Sequence, residues 1–192
     1  MMCARDVLEE CLKKNEELIV SYGDIIFNNK ILSLLSNSKD AITIIVDTKW
    51  KNLYYKRPDN SYFGSEMVSF TENGQLLKIG RFFNDSELSN LNTGEFIGLL
   101  KLSVKGIGIW LNVFDELNRK LHINEPFQKA KSWNQAYLSD FLAYLLEINE
   151  QIQIIKIKNG WMELDTVGDL QRCKEYSTLE EFENHFYPKV MV

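Results

Sequence analysis

The sequence predicts one α/β domain over residues 1–192, a largely parallel β-sheet with helices on its faces. Three observations carry that expectation. The continuous apolar runs Leu18-Ile19-Val20 and Ala41–Val46 (AITIIV) read as strands covered on both sides. Helical stripes lie beside them, Val7, Leu8, Cys11 and Leu12 before the first run and Ile31, Leu32, Leu34 and Leu35 between the two. Strands that alternate with helices in this way build βα units with parallel neighbours.

The elements follow in order. Arg5–Lys14 carries the first helical stripe. The strand at Leu18–Val20 ends at Tyr22-Gly23-Asp24, and a short helix precedes the Ala41–Val46 strand. Residues Lys51 to Gly64 are polar and aromatic, with Pro58, Asn60 and Gly64, and read as a loop excursion. Glu66–Phe70 and Gln75–Ile79 flank Glu72-Asn73-Gly74 and read as a hairpin, where Asn-Gly signals a type I′ turn. Arg81–Asn92 is loop or short helix, and Phe96–Leu102 (FIGLLKL) is a further strand. Ser103 suits the N-cap of a helix whose core face is Val104, Ile107, Leu111 and Phe114. Leu138, Phe141, Leu142, Leu145 and Leu146 mark another amphipathic helix. Ile152–Ile157 is a strand, then Asn159-Gly160 leads to Trp161–Leu164, and helices start near Val167 and near Thr178.

Composition narrows the function. Lys plus Arg is 22 and Asp plus Glu is 27, a net charge of −5. At pI ≈ 5.2 the chain lacks the electrostatic footprint of a nucleic-acid binder. No apolar run of about 18 residues exists, so no membrane span is expected. Residues Met1 to Asp6 contain no apolar signal core. Cys3, Cys11 and Cys173 are odd in number and lack CxxC spacing, which suits a reducing cytoplasm rather than a disulfide framework. His122 and His185 sit beside no nucleophile motif and read as surface or packing residues.

Two acidic positions stand out. Asp24 directly follows a predicted strand, and ligand clefts in parallel sheets lie beyond the carboxyl ends of strands. Asp24 could instead cap the next helix, although Asn28 and Asn29 lie nearer to it. In Trp161-Met162-Glu163-Leu164-Asp165-Thr166, Glu163 and Asp165 alternate around Leu164 and so share one face of a strand. Thr166 and Asp169 form a capping-box-like pair, which leaves Asp165 without a capping duty. Two acids on one face repel unless solvated, protonated or bridged by a cation, so solvated edge-strand acids are the plainer alternative. Asp24 and Asp165 together would suit Mg²⁺, which takes one or two carboxylates plus substrate phosphates. A third group is cationic and aromatic: Lys49, Lys51, Lys56 and Arg57 around Trp50, Tyr54 and Tyr55, with Lys78 and Arg81 after the hairpin. Arg suits bidentate contact with phosphate or phosphonate, and the rings suit an ammonium group, or they simply pack.

The segments ELIVSYGDIIF, AITIIVDTKW, GEFIGLLKLS, YLSDFL and WMELDTVGDL, from about Met2 to Leu170, resemble the later part of sugar-phosphate and phosphocholine nucleotidyltransferases. The similarity is greatest to the CTP-dependent branch that activates phosphonates or phosphocholine. The resemblance implies a Rossmann-like, GT-A-like sheet. It implies Mg²⁺ on the nucleotide phosphates, held by Asp24, Glu163 and Asp165, with Asp24 and Asp165 catalytic. It further places Arg81 near substrate phosphate and Glu95 of the Gly94-Glu95 step at the substrate pocket, with Trp50 as a substrate contact. The implied partners are a nucleoside triphosphate, CTP by preference, and a small phosphate or phosphonate. The implied reaction is cytidylyl transfer with release of pyrophosphate.

One departure bears on that expectation. The family begins with a strand and a Gly-rich A-x-G-x-G-x-R loop followed by Pro-Lys, whereas here no Gly precedes Gly23. The chain is therefore expected to be an N-terminally truncated form, the C-terminal two-thirds of the family fold. The missing strands would expose an edge beside Leu18–Val20, a site for self-association. The alternative function is an inactive fragment or interaction module that needs a partner chain to complete the sheet. A phosphate-ligand binding domain without turnover is a third possibility.

Overall fold

The computed structural model describes residues 4–51, 65–81, 83–88 and 92–174. Helix α1 is Arg5–Lys14, and its last residue is followed by Asn15 in the left-handed region (φ 57°). Strand β1 (Leu18–Ser21) and strand β2 (Ile25–Phe27) precede helix α2 (Asn29–Ser36) and strand β3 (Ile42–Asp47). Strands β4 (Met67–Phe70) and β5 (Leu76–Gly80) form the hairpin, and helix α3 (Asp85–Leu88) leads to the long strand β6 (Thr93–Leu102). Helices α4 (Val104–Lys120) and α5 (Leu138–Glu147) are separated by a 3-10 turn at Trp133–Gln135. Strands β7 (Gln153–Ile157) and β8 (Trp161–Glu163) and helix α6 (Val167–Lys174) follow.

The helix starts have local causes. Asn28 Oδ1 accepts from Lys30 N at 2.8 Å and so caps α2. Ser103 Oγ accepts from Gly106 N at 3.2 Å and caps α4. At α6 the expected box forms: Asp169 N donates to Thr166 Oγ1 at 3.1 Å, and Thr166 N donates back to Asp169 Oδ2 at 2.8 Å.

The main sheet has the order β5-β4-β6-β3-β7, and β1 lies beside β6 off that path. β6 is its axis. Along one edge it pairs with β3, and along the other it pairs with β4 through residues 93–95 and with β1 through residues 99–102. The α/β class and the flanking helices are as expected, but the sheet is not mostly parallel. β6 runs antiparallel to β1, β3 and β4, β4–β5 is antiparallel too, and among the described residues only β3–β7 is parallel. The reason is an insertion. β1 and β3 point the same way, as a strand–helix–strand unit requires, but β6 lies between them. A continuous apolar run reports burial on both faces and says nothing of the neighbour's direction.

Both faces of the sheet are covered. On one, Ile42, Ile44, Val46, Phe96, Leu100 and Leu102 meet Trp110 and Phe114 of α4 and Phe141 and Leu145 of α5. The Trp110 and Phe141 rings lie 4.6 Å apart. On the other, Ile45, Ile97 and Leu99 meet Ile31 and Leu35 of α2 and Trp161 of β8. Each such side chain contributes about 1.5–3 kcal/mol by leaving water.

The hairpin also departs from expectation. Gly74 N bonds to Thr71 O and Thr71 N to Gln75 O, a three-residue loop over 72–74. Of the loop residues only Gly74 has positive φ (81°), whereas a type I′ turn needs two such residues. Glu72 and Asn73 thus form the centre of a turn that Gly74 closes in the left-handed region, a connection of the next commonest hairpin class. The helix expected near Thr178 lies outside the described residues, as do Tyr54, Tyr55, Lys56 and Arg57. Among the described residues no helix is long and apolar enough to cross a membrane.

Candidate metal and acceptor site

Three acids meet at the edge of the sheet because two short strands pair. After β1 the chain is pinned by a 2.9 Å bond from Tyr22 N to Gly98 O, turns at Gly23-Asp24, and returns as β2. β2 pairs antiparallel with β8, with Ile25 opposite Glu163 and Phe27 opposite Trp161. Leu164 N donates to Asp24 O at 2.8 Å, which holds Asp24 beside the segment carrying Glu163 and Asp165. Oxygens of the Asp24, Glu163 and Asp165 carboxylates all lie within 4.8 Å of one another. Asp24 and Asp165 are exposed and Glu163 is half-buried. Residues 141 positions apart in sequence (165 − 24) are thereby brought to one point.

The donor set is hard oxygen on an open rim, which fits Mg²⁺: the ion keeps waters and shares its shell with phosphate oxygens. Like charges this close repel, and a divalent cation is the simplest group that relieves them.

A buried carboxylate anchors the β7–β8 connection. Asp47, at the end of β3, is fully buried. Its Oδ1 accepts from Lys49 N at 2.7 Å and Asn159 N at 3.2 Å, and its Oδ2 accepts from Trp161 Nε1 at 2.9 Å. Burial pushes its pKa up, against the opposing effect of those three donors. Asn159 (φ 63°) and Gly160 (φ 90°) make the tight turn that these bonds hold. Asp47 is not among the site residues expected from the sequence. The available signal was an acid closing a wholly apolar run, with Asn-Gly at the end of the adjoining strand.

Beside the three acids lies a small cavity of about 50 Å³, whose lining includes Tyr22, Glu66, Arg81, Glu95, Trp161 and Glu163. Glu66 and Glu95 are 5% and 3% exposed. Tyr22 Oη donates to Glu66 Oε2 at 2.6 Å, and Ser139 Oγ donates to Glu66 Oε1. Burial, and then the charge of Glu66, pushes the Tyr22 phenol well above the usual range. Arg81 is exposed, with its guanidinium carbon 3.8 Å from the centre of the Tyr137 ring. The structure therefore brings Arg81 and Glu95 to one cavity. Glu66 and Ser139 were not singled out in the sequence, because their meeting with Tyr22 depends on how β1, β4 and α5 pack.

Trp50 is 3% exposed in a small cluster with Met67, the strand neighbour of Glu95, and it is not among the residues that line this cavity. Lys78 bonds to Glu87 at 2.5 Å and lies over the Phe83 ring. Cys11 and Cys173 are free thiols.

A second, larger cavity of about 430 Å³ lies on the far side of Tyr22, between β1, α4 and α5, lined by Val20, Trp110, Phe114, Trp133, Tyr137 and Phe141 among others.

No protein-family model matches the chain. The CTP:phosphoglutamine cytidylyltransferase of Campylobacter jejuni is 27% identical over 169 residues, 88% of this chain and 63% of that enzyme. The chain thus spans less than two-thirds of that relative's length. The inositol-1-phosphate CTP transferase of T. maritima shares the fold with a TM-score of 0.53 at 16% identity, over 92% of this chain and 58% of its own. A CMP:2-keto-3-deoxy-manno-octonic acid synthetase solved with CTP does so with a TM-score of 0.54 at 12% identity, over 90% and 66%. The chain is thus similar in sequence to the first, over most of its own length, and shares its fold with the other two.

Proposed function

We propose that this chain transfers a cytidylyl group from CTP to a phosphate or phosphonate monoester and releases pyrophosphate. The observation that carries the reading is the meeting of Asp24, Glu163 and Asp165 from two separate segments. The similarity to a CTP:phosphoglutamine cytidylyltransferase supports CTP as donor and a phosphate-bearing acceptor.

In this reading the acceptor oxyanion attacks the α-phosphorus of CTP as the bond to the leaving pyrophosphate breaks. The protein contributes positioning and charge, as phosphoryl transfer generally requires. Asp24 and Asp165 would hold Mg²⁺, with Glu163 as a further ligand or as a hydrogen-bond acceptor for its waters. Bound there, the ion supplies neutralisation of the triphosphate charge. Arg81 lies at the neighbouring cavity, where its fork of donors suits an acceptor phosphate. Glu95 lines the same cavity as an acceptor contact.

The test is pyrophosphate release from CTP and Mg²⁺ with a panel of phosphate and phosphonate monoesters. Wild type is expected to turn over at least one of them, and Asp165→Asn is expected to lose most of that rate. An Asp165→Asn protein with full Mg²⁺-dependent activity would remove the proposed role.

A second reading is favoured by one observation. Among the described residues β1 pairs only with β6, Ile19 on it is 37% exposed, and the 430 Å³ aromatic groove opens beside it. On that reading the chain works when its sheet is completed by another strand, from a second copy or a partner. It expects concentration-dependent association in light scattering and no pyrophosphate release from the isolated monomer.

A further inference from the structure

The larger cavity, about 430 Å³ between β1, α4 and α5, lies within the roughly 300–1,000 Å³ of small-molecule sites. Its walls are aromatic, and none of its lining residues carries a charge. The Trp110 and Phe141 rings lie 4.6 Å apart, Phe141 and Phe114 6.4 Å, and Phe114 and Trp133 5.6 Å. Four rings of the lining thus brace one another, and Tyr22 and Tyr137 add two more.

The polar edges of these rings are mostly engaged away from the cavity. Tyr22 Oη donates to Glu66, and Trp133 Nε1 donates to Asn118 at 2.8 Å. Trp110 differs. It is 1% exposed, and among the described residues its indole N–H has no hydrogen-bond partner. A buried tryptophan normally pairs that group, as Trp161 does with Asp47, and an unmet buried donor is costly. At the exposed rim, Asn134 Oδ1 accepts from Ser132 Oγ at 2.5 Å, which leaves its NH₂ as a second donor.

These walls choose the chemistry of an occupant. Ring faces favour a flat aromatic group. The buried end offers a donor and no carboxylate, so the ligand must bring the acceptor. A cation would find ring faces, but it would meet the positive end of the indole N–H. A saturated chain would leave that N–H unmet. A flat ring with a ring nitrogen or a carbonyl satisfies both the faces and the donor.

We propose that this cavity is a second ligand site, for a neutral heteroaromatic group of one or two fused rings whose nitrogen or carbonyl accepts from Trp110 Nε1. The site does not rest on the transfer reaction, because none of Asp24, Glu163 and Asp165 lines it.

The test uses quinoline and naphthalene, which share a shape and differ by one acceptor nitrogen, titrated into the full chain and followed by NMR of the tryptophan indole N–H groups. Trp110→Phe assigns the Trp110 resonance. In wild type that resonance is expected to move to lower field with quinoline than with naphthalene. The affinity ratio of quinoline to naphthalene is expected to be about tenfold greater in wild type than in Trp110→Phe, the scale of one buried hydrogen bond, with the water-transfer difference between the probes cancelling. The resonance is read on wild type, by its response to the probes, so the site stays testable if Trp110→Phe does not fold. Equal shifts with the two probes, an unchanged ratio in Trp110→Phe, or no binding of either probe up to millimolar concentration each overturns the proposal. Tighter binding of tetramethylammonium than of quinoline would make the site a cation cage and overturn it too. Cavity resonances that move on dilution of the protein alone would show a second copy in the cavity, which also sinks it. Pyrophosphate release decides none of these outcomes, so this site and the transfer reaction fail separately.

Discussion

The indole N–H of Trp161 donates a 2.9 Å hydrogen bond to the carboxylate of Asp47, and both side chains are buried. This bond ties the end of β3 to the start of β8. β8 in turn carries Glu163 to Asp24, so the aim of the three acids depends on a carboxylate that touches none of them. The same carboxylate holds the backbone N–H groups of Lys49 and Asn159. Three donors converge on two oxygens.

Asp47→Asn is therefore not a conservative change. An amide offers one acceptor oxygen, so its NH₂ must face either the indole or the two backbone donors. The expected loss is about 1–3 kcal/mol of unfolding free energy, the scale of an unsatisfied buried donor. The pH dependence has a definite sign. Burial raises the Asp47 pKa in the folded protein above its unfolded value, so the folded state holds that proton more tightly. Stability from this group is greatest below the unfolded value, near 4, and falls as pH rises through the interval up to the folded value. Urea unfolding at several pH values across that interval should show this fall in wild type and not in Asp47→Asn.

Gly98 is the second structural pivot. Its φ is +77°, and a Cβ there would come within 2.2 Å of the Tyr22 ring. Gly98→Ala should cost about 2–4 kcal/mol, from backbone strain plus displacement of a packed ring. Because Tyr22 also donates to Glu66, the variant should change acceptor binding as well as melting temperature. Tyr22→Phe separates the two effects, since it keeps the ring and loses only the hydroxyl.

Lys101 gives a third prediction. It is 2% exposed on β6, and its Nζ donates to the carbonyls of Ser36 and Ser38 at 2.9 Å and pairs with Glu17 at 2.8 Å. It thus satisfies a carbonyl at the C-terminal end of α2. Lys101→Met keeps the aliphatic stem and removes the ammonium. A loss of about 2–3 kcal/mol is expected from the charged hydrogen bonds alone. Chemical denaturation measures it directly.

Much of the local structure was legible in the sequence, for physical reasons. The stripe over Arg5–Lys14 and the caps at Ser103 and Thr166 are short-range signals, and the elements form where those residues stand. Pairing was not legible. The placement of β6 between β1 and β3 is a long-range choice that an apolar run does not encode. The same holds at the site. Asp24, Glu163 and Asp165 could be named because each stands at a strand end, and the structure brings them together. Glu66 and Asp47 could not, because each looks like an ordinary strand-end acid until its partners on other elements are known. Trp50 carried an attractive residue type, and it is buried in a cluster of its own.

The three acids should also weaken the metal-free protein. Their mutual repulsion is relieved by removing one charge, so Asp165→Asn should melt slightly higher than wild type in chelator, by a fraction of a kcal/mol to about 1 kcal/mol at such exposed groups. Adding Mg²⁺ should reverse the order, because only wild type gains stability from binding. Thermal melts with and without Mg²⁺ show both effects.

The most direct measurement of the central claim is CTP binding by calorimetry, in Mg²⁺ and in chelator, for wild type and Asp165→Asn. Wild type should bind CTP at least tenfold more tightly with Mg²⁺ than without, since even residues that merely support a metal ligand are worth 10–100-fold in affinity, roughly. Asp165→Asn should bind it weakly in both conditions. Equal CTP affinity in all four experiments would contradict a cation held by Asp24, Glu163 and Asp165.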